Sequence, residues 1–137
     1  LSLRRQRQMC IRDRGILRQA KENGTGFIAF SPLAQGLLTN RYLNGIPDDS
    51  RIAKGGFLKK EALTDEVLKK IKALNELAIR RGQTLAEMAL AWILKDDLVT
   101  SVIIGASSVG QLADNLKAID NTAFSAEELK NIYQIVK

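Results

Sequence analysis

Val99-Thr100-Ser101-Val102-Ile103-Ile104-Gly105-Ala106-Ser107-Ser108-Val109-Gly110-Gln111-Leu112-Ala113-Asp114-Asn115 decides how the rest of the chain is read. Val99 to Ile104 is a short, β-branched, apolar run of the kind expected for a strand covered on both faces. Gly105 ends it, and a residue without Cβ lets a backbone or a ligand come close. Ser108, with Gln111 three residues on, is a capping box opening a helix whose apolar positions include Leu112, Leu116 and Ile119. A strand running through glycine into a helix N-terminus makes an anion site, because free N–H groups and the helix dipole point at one spot. Ser107, Ser108, Gln111 and Asn115 set neutral polar groups around it, as a phosphate requires.

The same pattern of strand and helix extends on both sides. Ile16, Leu17 and Ala20 suit the end of an amphipathic helix closed by Asn23-Gly24. Phe27 to Phe30 is a four-residue apolar run, predicted as a buried strand that stops at Ser31-Pro32. Leu33 to Arg51 is a long connection rich in turn chemistry: Gln35-Gly36, Asn44-Gly45, Ile46-Pro47 and Asp48-Asp49-Ser50, with Gly55-Gly56 soon after. Loops of this length are more often functional lids than filler, with a plain surface loop as the alternative. Thr64 caps a helix carrying Val67, Leu68, Ile71, Leu74, Leu77 and Ala78 on one face, with Arg80-Arg81 in its last turn and Gly82 beyond. Thr84 and Glu87 form a second capping box, and Leu85, Met88, Ala89, Trp92 and Ile93 make that helix apolar on most sides. After a turn at Asp120 to Ala123, Ser125 and Glu128 open a last helix bearing Leu129, Ile132, Tyr133 and Val136. Strands alternating with helices predict a parallel sheet and an α/β fold. Two strands do not complete such a sheet, so the chain reads as the end part of something longer.

Composition narrows the chemistry. With 45% hydrophobic and 26% charged residues, the chain has the makeup of an ordinary globular protein. A single cysteine, Cys10, excludes an internal disulfide and points to the cytoplasm, and no apolar run approaches membrane length. There is no histidine, which removes the commonest general base and the usual zinc ligand. The formal charge of +6 is concentrated at the start: Leu1 to Arg14 has five arginines against Asp13, a net +4. That segment lacks lysine, aromatics and any sustained period, so a nucleic-acid arm is disfavoured against a solvated tail. It resembles a translated sequencing adapter, and we expect residues 1–14 to take no part in the packed domain, residues 15–137.

Two motifs carry a family resemblance. Phe30-Ser31-Pro32-Leu33-Ala34-Gln35-Gly36-Leu37-Leu38, followed by Arg41-Tyr42-Leu43, Gly45-Ile46-Pro47 and Ser50-Arg51, resembles the segment after the seventh strand of aldo-keto reductases. Ile103-Ile104-Gly105-Ala106-Ser107, with Gln111-Leu112 and Asn115, is similar to the segment after the eighth. Both occur in order, separated by a Trp92-bearing helix of the family's type, and the resemblance covers essentially all of Gly15 to Lys137. The resemblance implies the C-terminal fragment of a (β/α)8 TIM barrel, holding strands seven and eight, with NADPH across the strand ends. By position, Ser31, Leu33 and Gln35, in one turn with Pro32 and Ala34, would line the pyrophosphate and nicotinamide side. Phe30 would stack on the nicotinamide. Arg41 and Arg51 would meet the cofactor phosphates, Arg51 from a loop folding over them. Ser107, beside Gly105, would bond the 2′-phosphate, and Gln111 with Asn115 the adenine. Asp114 stands where relatives often have glutamate.

The same resemblance implies that the catalytic aspartate, tyrosine, lysine and histidine lie on earlier strands, so no residue here is assigned a catalytic role. Tyr42 and Tyr133 match no catalytic position. The implied activity of the parent is NADPH-dependent reduction of small aldehydes or ketones, phosphorylated ones among them. The alternative is a nucleotide-binding accessory subunit resembling potassium-channel β subunits. The implied partner is a small carbonyl compound, neither nucleic acid nor membrane, with a homo-oligomer left open.

Overall fold

A computed structural model describes residues 14–43, 45–47 and 63–137 of the 137-residue chain. Expectations about Leu1 to Asp13, Asn44, Asp48 to Ser50, Arg51 and Gly55-Gly56 lie outside the described residues. In chain order the elements are α1 (Arg14–Glu22), β1 (Ile28–Phe30), α2 (Asp65–Arg80), α3 (Leu85–Leu94), β2 (Ser101–Ile103), α4 (Val109–Leu116) and α5 (Ala126–Val136). Short 3-10 turns cover Ala34–Gly36, Asn40–Tyr42 and Lys117–Asn121. This is the predicted order of helices and strands.

Local chemistry fixes the helix ends. Thr64 Oγ1 accepts from the Val67 N–H at 3.2 Å, while Asp65 and Glu66 face the positive end of the α2 dipole. The box at α3 is reciprocal: Thr84 Oγ1 accepts from Glu87 N–H at 3.2 Å, and Glu87 Oε2 accepts from Thr84 N–H at 2.9 Å. Ser125 and Glu128 repeat this pattern at α5. The caps leave few helix-end donors unsatisfied and start each helix with its apolar stripe aimed inward.

The core lies between helices rather than between helix and sheet. Ile71, Leu74, Leu77 and Ala78 of α2 meet Leu85 and Met88 of α3 and Ile132 of α5. Each fully buried aliphatic side chain contributes about 1.5–3 kcal/mol by leaving water. The other side of α3, Leu90 and Ala91, is also buried, with α4 and the Lys117–Asn121 turn packed against the helix. Cover on both sides explains why α3 is apolar nearly all round.

Arg81 ties these elements together in a way its sequence position does not announce. It is not only a cation at a helix end: its side chain is just 4% exposed. Nη1 donates to Glu128 Oε1 at 2.6 Å, Nε to Gln83 Oε1 at 3.0 Å and Nη2 to the Ala123 carbonyl at 2.9 Å. The guanidinium also lies 3.8 Å from the Phe124 ring centre. One planar fork thereby joins the end of α2 to the start of α5.

β1 and β2 pair in parallel, with Ile28 opposite Ser101, Ala29 opposite Val102 and Phe30 opposite Ile103. The expectation of strands covered on both faces is corrected: Ile28 is 59% exposed, Phe30 80% and Ile103 62%. Alternate residues of a strand point to opposite faces. Only the Ala29–Val102 side has partial cover among the described residues. The reading of α4 is corrected too. Leu112, Leu116 and Ile119 lie on its exposed side, while Asn115 and Ala118 face inward. Small side chains at the contact let helix axes approach closely, as Ala118 and Ala91 do here by being fully buried.

Candidate functional site

Parallel pairing sets the C-terminal ends of β1 and β2 side by side, so the loops leaving them converge. Between those loops lies an open cleft of about 970 Å³. Ligands of parallel α/β sheets sit in such crevices beyond the carboxyl ends of the strands. One wall is Ser31, Pro32, Leu33, Gln35, Gly36, Thr39, Asn40 and Arg41, with Tyr42 and Pro47 behind. The other is Ile103 to Ser107, with Gln111 from the first turn of α4.

The first wall has unusual backbone. Ser31, Ala34 and Gln35 all take left-handed conformations, with φ of 55°, 47° and 60°. Such residues cost about 1–3 kcal/mol each unless their surroundings enforce them, and they cluster at ligand clamps. Gly36, at φ 100°, completes the turn. Its N–H donates to the Leu33 carbonyl at 2.9 Å, and the ring of Tyr42, only 1% exposed, supports it from below. Thr39 Oγ1 donates to the Gly36 carbonyl at 2.6 Å and accepts from the Arg41 N–H at 3.2 Å.

The second wall is a helix start. Ser108 Oγ accepts from the Gln111 N–H at 3.1 Å, as a cap should. The reciprocal half of the expected capping box is not made to Ser108. Instead, Gln111 Oε1 accepts from both Ser107 N–H, at 2.7 Å, and Ser107 Oγ–H, at 2.9 Å. A backbone N–H can only donate, so the amide oxygen must face Ser107 and the amide NH2 is turned away from it. A Cβ built at Gly105 would meet nothing within 4 Å. Strand–helix packing therefore does not require glycine there, whereas the cleft leaves that backbone open to approach.

Among the described residues lining the cleft none is acidic, and Arg41 is the charged one. An arginine, side-chain amides, hydroxyls and a helix N-terminus make a donor set suited to an anion. The predicted residues Ser31, Pro32, Leu33, Gln35, Arg41, Gly105, Ser107 and Gln111 are brought together here. Phe30 precedes the turn but does not line the cleft, and its ring is exposed. Ala34 is exposed and does not line the cleft. Asp114 pairs with Lys117 at 2.8 Å on the exposed side of α4, and that hydrogen bond and charge raise the Lys117 ammonium above its usual value. Asn115 is only 5% exposed, one turn below Gln111, and its Nδ2 is buried without a hydrogen-bond partner. Arg51 lies outside the described residues. Thr39, Asn40 and Tyr42 were not singled out from the sequence as site residues. A threonine directly ahead of a turn was the available signal, since its hydroxyl can cap.

Comparison with known proteins follows the same segments. The profile of the aldo/keto reductase family matches residues 3–137. An L-glyceraldehyde 3-phosphate reductase of Escherichia coli O157:H7 is 52% identical over 124 residues, covering 88% of this chain and 36% of the relative. The protein of that name from strain K12 matches to the same extent. A probable voltage-gated potassium channel subunit beta of Arabidopsis thaliana is 43% identical over 101 residues, covering 72% of this chain and 31% of the relative. The chain thus spans about a third of the length of these relatives. Among the described residues, no helix is long and apolar enough to cross a membrane.

Proposed function

Because the chain belongs to the aldo/keto reductase family, we propose that it supplies the cofactor-phosphate half of an NADPH-dependent reductase of small aldehydes or ketones. The observation that carries this reading is the convergence of Arg41, Ser107 and Gln111 around the open backbone at Gly105. NADPH, when bound, supplies the hydride. What this chain's residues do is bind and orient. Arg41 neutralises phosphate charge from one wall. Ser107 and the Gln111 amide serve the 2′-phosphate and adenine end from the other. The left-handed turn at Ser31 to Gln35 fixes the first wall, and Asn115, Phe30 and Arg51 remain proposed contacts on the family pattern.

In this reading the two strands belong to a (β/α)8 barrel whose remaining strands carry the proton donor. The chain alone then binds cofactor without turning over aldehyde, because on the family pattern the proton donor lies on those other strands. Phosphorylated aldehydes are the favoured substrate class, given the reductase relative matched at 52% over 88% of this chain. The lone cysteine and a diffusible substrate suit the cytoplasm. The non-catalytic accessory role of the channel subunits is the lesser reading, supported by a shorter and weaker match.

Titrating the chain with NADPH, followed by the fluorescence of the reduced nicotinamide, tests the proposal. We expect saturable binding that Arg41→Ala weakens about tenfold or more and that falls as salt rises. Binding equal for NADPH and NADH, and indifferent to Arg41, would refute it.

A further inference from the structure

We propose that Thr39 is a positioning residue for cofactor phosphate, acting through Arg41; the inference rests on the NADPH reading of the cleft. The Arg41 side chain is exposed and long, and the backbone that carries it sets where it starts. That backbone is a three-residue 3-10 turn closed by a long bond from Leu43 N–H to the Asn40 carbonyl at 3.3 Å. Thr39 secures the other end of the turn. Its extended backbone and its Oγ1, accepting from Arg41 N–H, form the cap that starts the turn. The same hydroxyl donates to the Gly36 carbonyl at 2.6 Å. Gly36 closes the left-handed turn that begins at Leu33. One oxygen therefore joins the turn bearing Arg41 to the turn bearing Ser31, Leu33 and Gln35. Thr39 is half-buried in the wall of the cleft, so water does not readily replace it in both bonds.

A hydroxyl that both accepts and donates is required, and only serine or threonine offers it at this reach. Thr39→Val keeps the branched shape and loses both bonds. Thr39→Ser keeps both bonds.

The test uses the whole chain and two readouts. Amide hydrogen exchange, followed by NMR in the chain without cofactor, should show faster exchange at Arg41 N–H in Thr39→Val and near-unchanged exchange in Thr39→Ser. NADPH titration should show about tenfold weaker binding for Thr39→Val, with Thr39→Ser close to the unaltered chain. Thr39→Val placed on Arg41→Ala should weaken binding no further, the non-additivity expected of a residue that works through another. Additive losses, or binding that ignores Thr39→Val while Arg41→Ala weakens it, would overturn this inference alone. An unaltered chain that binds no NADPH would overturn the cofactor reading and this inference with it.

Discussion

Replacing Ser107 by alanine tests the second wall of the cleft, and its expected size follows from what the hydroxyl does before any ligand arrives. A hydrogen bond to a charged phosphate contributes about 1.5–3 kcal/mol, and an exposed site such as this one belongs at the lower end. Ser107 Oγ–H is already spent on Gln111 Oε1 at 2.9 Å, a neutral bond worth about 0.5 kcal/mol at the surface. Redirecting that proton to phosphate forfeits the internal bond. The net contribution is then about 1 kcal/mol, a five- to tenfold change in affinity. The backbone N–H of Ser107 still holds Gln111 Oε1 at 2.7 Å, so the amide stays oriented in the variant. Ser107→Ala should thus weaken NADPH five- to tenfold and leave NADH, which lacks the 2′-phosphate, within twofold. Parallel titrations of the two cofactors against both forms of the chain measure this. Equal weakening of NADPH and NADH would show that Ser107 serves only the helix start. A loss above a hundredfold would mean that the Gln111 bond is absent in the protein that binds cofactor.

Three further outcomes concern the framework that holds the cleft. Arg81→Met should destabilise the chain by about 2–3 kcal/mol, read as a lower urea midpoint, because it strands Glu128 and the Ala123 carbonyl; Arg81→Lys should restore less than half, lacking the fork. Partial burial pushes the Glu128 carboxyl up, but the Ser125 backbone N–H and the Arg81 guanidinium outweigh it and hold the group below its ordinary value. Its contribution to stability is therefore present above the unfolded carboxylate range and lost as pH falls below about 4 through the lower folded value. Glu128→Gln should flatten that acid limb in melting curves taken from neutral pH downward. Ala34→Gly should raise the melting temperature by a few degrees, about 1 kcal/mol, by relieving a φ of 47°; an unchanged or lower value would show that the left-handed turn is not strained.

How much of this was legible in the sequence depended on how local each feature is. Thr64, Thr84 with Glu87, and Ser125 with Glu128 act within four residues of themselves, and the structure forms each cap at the expected position. Gln111 shows where local reasoning slips: the box spacing was right, but its oxygen found Ser107 rather than Ser108. Burial was harder. β-branched runs mark strands, yet whether Phe30 and Ile103 are covered depends on what lies over them, which no window of sequence encodes. Apolar spacing on α4 chose the leucines, whereas the packed face is Asn115 and Ala118, selected by close approach to α3. Arg81 was visible as a basic residue in a last turn and invisible as a buried hub, since its partners apart from Gln83 lie 40 or more residues away. The cleft itself was legible because both of its walls are short motifs, and only Thr39 needed the fold to reveal its second bond.

Pairing β1 with β2 closes a long loop: Phe27 N–H reaches Thr100 Oγ1 across 73 positions. Closing it costs chain entropy that two three-residue strands repay with few hydrogen bonds. A molecule lodged between the strand ends touches both sides of that closure at once, so it acts as a removable cross-link. At a concentration one hundred times its dissociation constant it would add about 2.7 kcal/mol to the paired state. Supply of the ligand would then govern how long the two strand ends stay joined, and with that how readily a protease could reach the backbone between them.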